Sequence, residues 1–298
     1  MLNWVESIRT LCTPDQVHWC DGSDEEYNDL CALLVKKGTF LKLENKRRSN
    51  CYLARSNPND THRPDACAYV CTRTKEDAGV TNAWMDPTEM KTKLSHLLHQ
   101  SMVGRTLYVV PFCLGPLDSP WSKIGVQITD SPYCVVHMKI MTRMGTVVLQ
   151  KLGESGSFWS GLHSMGAPLQ DGQQDVPWPC SPDQIAVAHF PEEGLVMSYG
   201  SGFGGNAILS KRSFGLRIAS ACTEEKFLVA HSSIFSLKSP AGDKYYFAGC
   251  FPCGTGKTNV SLLVPTIPGW TQRCMSDEIA WMRSEEHTSE LQSLAYLV

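Results

Sequence analysis

The sequence predicts a mixed α/β protein of enzyme size. Apolar residues at helical spacing alternate with short β-rich segments along 298 residues, and long loops rich in proline and glycine separate them. Hydrophobic residues make up 42% of the chain, which is enough to bury one large core or two smaller ones. A glycine-rich segment, residues 251–259 (FPCGTGKTN), directly follows a predicted strand. We therefore expect helices and sheets that support a phosphate-binding loop.

Composition excludes several classes of partner. The net charge is -3, and the chain has no polybasic run, so nothing indicates a nucleic-acid or membrane-surface partner. The first residues are partly acidic and lack the apolar segment of a secretory signal. No apolar run approaches the ~18 residues that a membrane span needs. With 13 cysteines and no signal, the chain fits a reducing compartment with free thiols.

Helices are predicted where apolar residues recur at helical spacing and where breakers follow, as Gly38 does after the second segment. These segments are residues 2–11, 24–37, 87–100 and 207–220. His96 and His99 lie three positions apart on the third. That spacing can bind a metal, but exposed helical histidines are the more frequent case.

Strands are predicted where β-branched and aromatic residues cluster or alternate with polar ones. These segments are residues 67–71, 106–112, 134–138, 185–189, 195–199 and 244–248. We expect the last to be a buried strand that runs straight into the phosphate loop. Residues 153–175 are rich in glycine, serine and glutamine and are predicted to form a loop.

Two close cysteine pairs raise the question of a zinc or redox site. Cys67 and Cys71 lie on a predicted strand, and Cys250 and Cys253 enter the phosphate loop. A structural zinc ion needs roughly four ligands, and no second pair has the usual spacing. We therefore expect buried thiols.

The phosphate loop carries recognisable chemistry. Backbone N–H groups of a glycine-rich turn can bind phosphate oxygens, Lys257 can neutralise the β- and γ-phosphates, and the Thr258 hydroxyl can ligate Mg²⁺. Phe251 occupies the position of the first glycine in the general nucleotide-binding pattern, which disfavours a generic P-loop ATPase. Asp277 and Glu278 precede an apolar segment, the layout of metal-holding carboxylates at a strand edge; a solvated turn is the alternative.

The residues resemble a family. FPCGTGKTN and SDEIAWM, together with LCTPDQVHWCDGS, TDSPY, MTRMG, HSMGAPL and SYGSGFGGNAILSKRSFGLRIAS, are similar to segments of GTP-dependent phosphoenolpyruvate carboxykinases, in the family's order. The resemblance implies a mixed α+β fold: a carboxykinase N-terminal lobe with mixed sheets over residues 1–219, and the start of a P-loop-containing nucleotide-binding lobe over residues 220–283. Residues 284–298 do not match and are expected to be a tail outside the family.

The resemblance also implies a reaction. Oxaloacetate and GTP give phosphoenolpyruvate, GDP and CO₂, reversibly, as a step of gluconeogenesis. The implied cofactors are Mn²⁺ in the active site and Mg²⁺ or Mn²⁺ with GTP. We expect a monomer without nucleic-acid or membrane partners. We expect it in the cytoplasm, with mitochondria as the alternative if a transit peptide is missing.

Site residues follow from the resemblance position by position. For the substrate it implies Arg63, which clamps the carboxylate, with Gly204, Gly205, Lys211 and Cys253. For the nucleotide it implies Gly254, Thr255, Gly256, Lys257, Thr258 and Asn259. Arg63, Thr255 and Lys257 are the catalytic candidates. The metal candidates are Arg212, His231, Asp277, Glu278 and Thr258.

Several positions depart from the family pattern. Arg212 replaces a metal-ligating lysine, and a guanidinium has no lone pair for a metal. Glu278 replaces an aspartate, Thr255 replaces a reactive cysteine, and Phe203 replaces a more usual tyrosine. Family chains also continue much further. We therefore expect this chain to be inactive as it stands. The alternatives are a non-catalytic dicarboxylate-binding remnant and, from the GTGKT string, an ATP-dependent carboxykinase.

Overall fold

A computed structural model describes most of the chain. The described residues are 1–44, 50–60, 68–80, 82–153, 156–204, 227–251, 255–277 and 279–282. They belong to two compact units, Met1–Leu209 and Ser210–Val298, each of which is described by itself. The division expected at residues 219–220 stays a prediction.

The described residues of the first unit form five α-helices and eleven strands. The helices are α1 (Leu2–Cys12), α2 (Asp24–Lys36), α3 (Pro87–Leu98), α4 (Pro132–Met141) and α5 (Thr146–Leu152). The strands are β1 (Gln16–Trp19), β2 (Phe40–Leu43), β3 (Cys51–Ala54), β4 (Ala68–Val70), β5 (Ala83–Trp84), β6 (Thr106–Leu114), β7 (Lys123–Thr129), β8 (Arg143–Met144), β9 (Trp159–Ser164), β10 (Ala186–Phe190) and β11 (Leu195–Tyr199). The second unit has β12 (Leu228–Ala230), β13 (Ser232–Lys238), β14 (Lys244–Cys250), α6 (Lys257–Ser261), β15 (Thr271–Ser276) and β16 (Ala280–Met282).

One nine-stranded sheet organises the first unit. Its order is β1-β6-β7-β9-β11-β10-β4-β5, with β8 paired to β6. Neighbours are parallel except at β6–β7, β6–β8 and β10–β11, so the sheet is mixed. Strands β2 and β3 form a separate antiparallel pair. The mixed α/β class predicted from the sequence is confirmed.

The main core lies between this sheet and two helices. Apolar residues one helical turn apart on α1 and α3 are buried against strand residues of β6, β7 and β9. They are Val5, Ile8, Met90, Leu94, Leu98, Leu107, Val109, Val126, Ile128 and Leu162.

Side chains cap the N-termini of two of the predicted helices. The Ser23 side chain accepts from the Glu26 N–H at the start of α2, and Asp86 accepts from two N–H groups at the start of α3. Helix α1 ends at Thr13, which has a left-handed backbone with φ of 47°. The helices predicted over residues 2–11, 24–37 and 87–100 are confirmed. The segment 207–220 lies outside the described residues.

The strand predicted over residues 134–138 is wrong, because this segment belongs to helix α4. Ser131 caps the helix by accepting from the Cys134 N–H at 3.3 Å, and Pro132 occupies its first turn. Six of the ten residues of α4 are buried. Burial on most sides of the helix produces a continuous apolar run, which has no helical period and imitates a strand.

The loop predicted over residues 153–175 is wrong in its centre, where β9 lies. This strand pairs in parallel with β7 on one side and with β11 on the other. Its buried residues include Gly161, His163 and Ser164, which have low intrinsic strand preference. Its two neighbours in the sheet stabilise it as a strand.

Two small sheets lie in the described part of the second unit. Strand β12 pairs with β16, and β13 lies between β14 and β15. Strand β14 confirms the strand predicted over residues 244–248, but the prediction that it is buried is wrong. Six of its seven residues are exposed, because it pairs with β13 alone in the described sheet.

The described helices and cysteines bear on two expectations from the sequence, the lack of a membrane span and the presence of free thiols. No helix among the described residues has the length and apolarity that crossing a membrane requires. The ten cysteines in the described part of the chain are free thiols, most of them buried. Cys67 and Cys253 lie outside that part.

Candidate functional site

The glycine-rich segment after β11 lies at one edge of the large sheet. Strands β7, β9 and β11 are parallel neighbours, so the residues that follow each of them meet at the same edge. These are residues 130–131, 165–166 and 200–204. In open α/β sheets, ligands bind outside the carboxyl ends of parallel strands.

A chain of hydrogen bonds fixes this segment from inside the unit. The Ser131 N–H donates to Thr129 Oγ1 at 3.0 Å, and this oxygen lies 2.7 Å from His163 Nδ1. His163 Nε2 lies 2.7 Å from the Ser201 carbonyl oxygen, so Nε2–H donates there and Nδ1 accepts from the Thr129 hydroxyl. Burial lowers the pKa of His163, which favours this neutral form. The arrangement defines one tautomer.

Asp130 ties two strand ends together beside this chain. Its carboxylate accepts from the Ser164 hydroxyl and from the Met165 N–H, each at 2.9 Å. Burial raises the pKa of Asp130, although nearby His163 acts in the opposite direction. The raised pKa of Asp130 and the lowered pKa of His163 both favour neutral side chains under the segment.

Gly204 has a backbone that only glycine fits. Its φ of 62° is left-handed, and a Cβ there would lie 2.5 Å from Cys134 Sγ and 3.1 Å from His163 Nδ1. The structure thus places the predicted substrate residue Gly204 against a buried wall. Gly205, Arg63, Lys211 and Arg212 lie outside the described residues.

An aromatic cluster flanks the same segment. The Trp178 ring packs edge-on against Tyr133 and Phe203, with both centroid separations at 4.9 Å. Tyr133, Trp178 and Gly202 also line a pocket with an empty volume of about 310 Å³. The departure from tyrosine at Phe203 therefore falls on a residue held by ring packing.

Three charged side chains line this pocket as well. The buried Arg105 binds both oxygens of Asp175 at 3.0 and 3.1 Å, and Lys37 contacts the same carboxylate at 3.1 Å. Burial alone would raise the pKa of Asp175, but hydrogen bonds and charges from Arg105 and Lys37 outweigh it and leave the pKa lowered. The carboxylate is thus ionised and paired.

In the second unit, the carboxylate of Asp277 contacts two other predicted site residues. Helix α6 follows Gly256, whose φ is 99°, and begins with the buried Lys257. Lys257 Nζ lies 3.0 Å from Asp277 Oδ1, and the Thr258 hydroxyl donates to Asp277 Oδ2 at 2.8 Å. Gln272 of β15 donates to the carbonyl groups of Val260 and Ser261 and holds the end of the helix. The predicted roles of these residues stay predictions.

Register brings His231 to the same region of the second unit. His231 connects β12 to β13, and Asp277 lies on the connection from β15 to β16. Ala230 pairs with Ala280, and Ile234 pairs with Ser276, so the two connections are flanked by the same strand pairs. His231 is half-buried there.

Only some of the other predicted site residues of the second unit are among the described residues. Thr255 and Asn259 are exposed. Cys253, Gly254 and Glu278 lie outside the described residues. The exposed loop positions remain accessible to a ligand, as a phosphate-binding role would require.

One further group of metal-ligating side chains occurs among the described residues. His18, Cys20 and Glu26 place one ligand atom each within 4.8 Å of one another. His18 Nε2 and Glu26 Oε1 are 2.7 Å apart, whereas two ligands of a tetrahedral zinc ion stand about 3.3 Å apart. Glu26 also accepts from the N–H groups of Asp21 and Gly22. The geometry is that of a hydrogen-bonded carboxylate.

Sequence reasoning assigned no role to several residues that shape the first site. Thr129, Asp130 and His163 lie in the TDSPY and HSMGAPL segments, which contributed to the resemblance without individual roles. Asp60 and Trp178 lie in the NPNDTHRP and WPCSP segments and also received no individual role, because their contact joins distant parts of the chain. The one usable signal was that these residues lie in segments similar to those of the family.

Comparison with known proteins gives matches along nearly the whole chain. A family model described as Phosphoenolpyruvate carboxykinase N-terminal domain matches residues 3–224. One described as Phosphoenolpyruvate carboxykinase C-terminal P-loop domain matches residues 227–294.

Individual relatives agree. The proteins named Phosphoenolpyruvate carboxykinase [GTP] from Corynebacterium jeikeium, Chlamydia trachomatis and Neocallimastix frontalis are 49%, 48% and 49% identical over 96%, 94% and 95% of this chain. In each case the match covers 47% of the relative. The chain therefore spans about half the length of the curated relatives it matches.

Proposed function

The chain belongs to the GTP-dependent phosphoenolpyruvate carboxykinase family, and we propose that it carries the family's dicarboxylate-binding segment and phosphate loop. The proposed reaction converts oxaloacetate and GTP to phosphoenolpyruvate, GDP and CO₂. Its proposed metabolic place is gluconeogenesis. A monomer in the cytoplasm is also proposed.

The observation that carries this proposal is the shared carboxylate of Asp277. It holds Lys257, the cation suited to phosphate, and Thr258, the hydroxyl suited to a nucleotide-bound metal. Carboxylate and hydroxyl oxygens are ligands that a hard divalent cation prefers. The donor set therefore fits the Mg²⁺ or Mn²⁺ that the family assignment suggests.

Different residues of the chain would bind the nucleotide, the metal ions and the dicarboxylate. Lys257 would bind the transferred phosphate and neutralise its charge, while Thr258 and Asp277 would hold the nucleotide's cation. Arg63, Gly204, Gly205 and Lys211 would bind and orient the dicarboxylate, Arg63 through a bidentate contact. His231 would hold the Mn²⁺ of the substrate site. A bound cation supplies the positive charge that stabilises an enolate oxygen.

The first experiment measures GTP binding and oxaloacetate-dependent phosphoenolpyruvate formation by the purified chain with Mn²⁺. We expect GTP binding that Lys257→Ala removes, because the lysine charge is lost. We expect turnover at the level of that variant, because Arg212 cannot replace a lysine as a metal ligand.

The controls separate these expectations. Turnover above the Lys257→Ala variant would contradict the expected inactivity. Equal GTP affinity in the two chains would contradict the role of the loop. ATP in place of GTP tests nucleotide choice, for which the names of the relatives favour GTP.

A second candidate is non-catalytic binding of a dicarboxylate, favoured by Arg212. Calorimetry with oxalate, with and without Mn²⁺, distinguishes the two. Weak binding that does not depend on the metal supports the non-catalytic candidate. Strictly metal-dependent binding supports the enzyme site.

A further inference from the structure

Asp60 is a buried carboxylate close in sequence to the proposed substrate arginine. It is 2% exposed and precedes Arg63 by three positions. Its Oδ2 accepts from Trp178 Nε1 at 2.8 Å and from the Gly202 N–H at 2.9 Å. Its Oδ1 has no hydrogen-bond partner among the described residues. A single oxygen atom thus joins three distant segments of the first unit.

The two donors belong to structures that face each other. A Cβ added to Gly202 would lie 2.7 Å from Trp178 Nε1, so the indole lies directly against the backbone of the glycine-rich segment. The same indole packs on Phe203, the next residue. Because Asp60 accepts from both N–H groups, it fixes the position of the Gly202 backbone relative to the Trp178 ring that packs on Phe203.

The segment has a second, independent anchor. His163 donates to the Ser201 carbonyl, and within the segment the Phe203 N–H donates to Ser201 Oγ at 3.2 Å. Ser201 and Gly202 are therefore held by side chains from different parts of the sequence. Asp60 is the anchor that lies beside the proposed substrate arginine in the sequence.

A carboxylate is a costly choice for this position. Burying a charged group costs free energy, and a neutral acceptor could satisfy the same two donors. Hydrogen bonds to an ionised acceptor are shorter and roughly twice as strong as neutral ones, so the charge gives a stiffer attachment. The choice indicates a need for precise placement of the segment.

We propose that Asp60 is a positioning residue that holds the glycine-rich segment 201–204 in the geometry that binds the dicarboxylate. This inference rests on the proposed function, since it assigns the dicarboxylate to that segment. Asp60 acts through Gly202 and Trp178, and we assign it no contact with the ligand.

The direction in which oxalate affinity changes in one variant distinguishes a positioning role of Asp60 from simple charge repulsion. Asp60→Asn keeps an acceptor oxygen and the side-chain shape but removes a buried negative charge. If that charge only repelled a dianion, the variant would bind oxalate more tightly. If Asp60 positions the segment, weaker hydrogen bonds loosen it, and oxalate binds less tightly.

Calorimetry with oxalate and Mn²⁺ tests this on the whole chain. We expect affinity to fall about threefold in Asp60→Asn and at least about tenfold in Asp60→Ala, which loses both charge-assisted bonds. Asp86→Ala is the matched control, since it also removes a carboxylate that accepts from two N–H groups, here two backbone N–H groups at the start of α3. Its oxalate affinity should equal that of the wild type.

Either unchanged or tighter binding in Asp60→Asn overturns the proposal. If Asp60→Ala does not fold, Asp60→Asn decides alone. If the wild type binds no oxalate, the dicarboxylate assignment fails, and hydrogen exchange at the Gly202 amide still tests the anchor. Exchange should be faster in both Asp60 variants and unchanged in Asp86→Ala; unchanged exchange in the Asp60 variants would refute the anchor.

Discussion

The glycine-rich segment of the first unit and the phosphate loop of the second are held in different ways. The former is bound by buried side chains from several elements, including His163 and Asp60. In the latter, Lys257 and Thr258 share the carboxylate of Asp277, and Thr258 is exposed. The fold thus shapes the first site in advance, whereas the second is held by groups that a nucleotide and its metal would themselves bind.

This difference predicts different responses to substitution. Changes under the glycine-rich segment should lower the stability of the first unit, because buried bonds are lost. Changes at Asp277 should alter ligand binding more than stability.

The largest effect is expected from His163→Ala. The substitution leaves a cavity and removes the hydrogen bonds of His163 to the Thr129 hydroxyl and the Ser201 carbonyl, which then lack this buried partner. We expect the free energy of unfolding to fall by about 3 kcal/mol. Denaturant titration measures it. His96→Ala, at an exposed position of α3, is the control and should change stability by less than about 0.5 kcal/mol. A loss below about 1 kcal/mol in His163→Ala would show that the chain of bonds does not support the segment.

A smaller effect is expected from pH. Because burial lowers the folded-state pKa of His163, its contribution is complete above its unfolded pKa of about 6.5 and is lost as the pH falls toward its folded value. The slope from this group is at most about 1.4 kcal/mol per pH unit. Unfolding titrations between pH 7 and 5 should show a shallower slope in His163→Gln.

Two neighbours contribute to the same pH range. Burial lowers the pKa of His137, which acts in the same direction and is present in both chains. Burial raises the pKa of Asp130, which acts in the opposite direction, and His163 lowers it, so the difference in slope reports His163 together with its effect on Asp130. Equal slopes for the two chains would refute the link to His163.

The smallest effect is expected from Asp277→Asn on GTP binding. Without divalent metal, the variant should bind GTP severalfold more tightly, because Lys257 no longer has to leave a carboxylate partner before it binds a phosphate. With Mn²⁺, the affinity gained from the metal should fall. Titrations with a chelator and with Mn²⁺ measure both.

Asp243→Asn is the matched control for net charge, on an exposed turn of the same unit. It should change neither value by more than about twofold, since exposed charges are screened. If Mn²⁺ raised the GTP affinity of Asp277→Asn as much as that of the wild type, Asp277 would not be a ligand of the metal.

Local signals explain the predictions that were confirmed. Ser23 and Asp86 are capping residues placed directly before amphipathic segments, and Gly38 stops the helix that Ser23 starts. Such caps act over three or four residues, so a window of sequence contains the whole interaction. The phosphate loop was predicted from a window of the same length, and its role stays a prediction.

The wrong predictions concern segments whose surroundings override local preference. Helix α4 shows no helical period because most of it is buried, although Ser131 and Pro132 marked its start. Strand β9 depends on strands at both sides, and the exposure of β14 depends on which neighbours it has. These properties belong to the assembled sheets.

The first site was predictable only in part. Gly204 was named from its motif, but the Asp60 contacts span 118 and 142 positions of sequence. No periodicity or spacing rule connects residues so far apart. Their contacts exist only in the assembled fold, which brings three loops together.

The strand order of the large sheet also determines when each strand can pair during synthesis. Strand β4 pairs with β5 and β10, and roughly 115 residues separate it from β10, so at about 5–20 residues per second it waits about 6–23 s for its partner. Until β11 emerges, β9 lacks one of the two strands that stabilise it. Its glycine, serine and histidine residues have low strand preference, so we expect the segment to be a poor template for aggregation while it waits for β11.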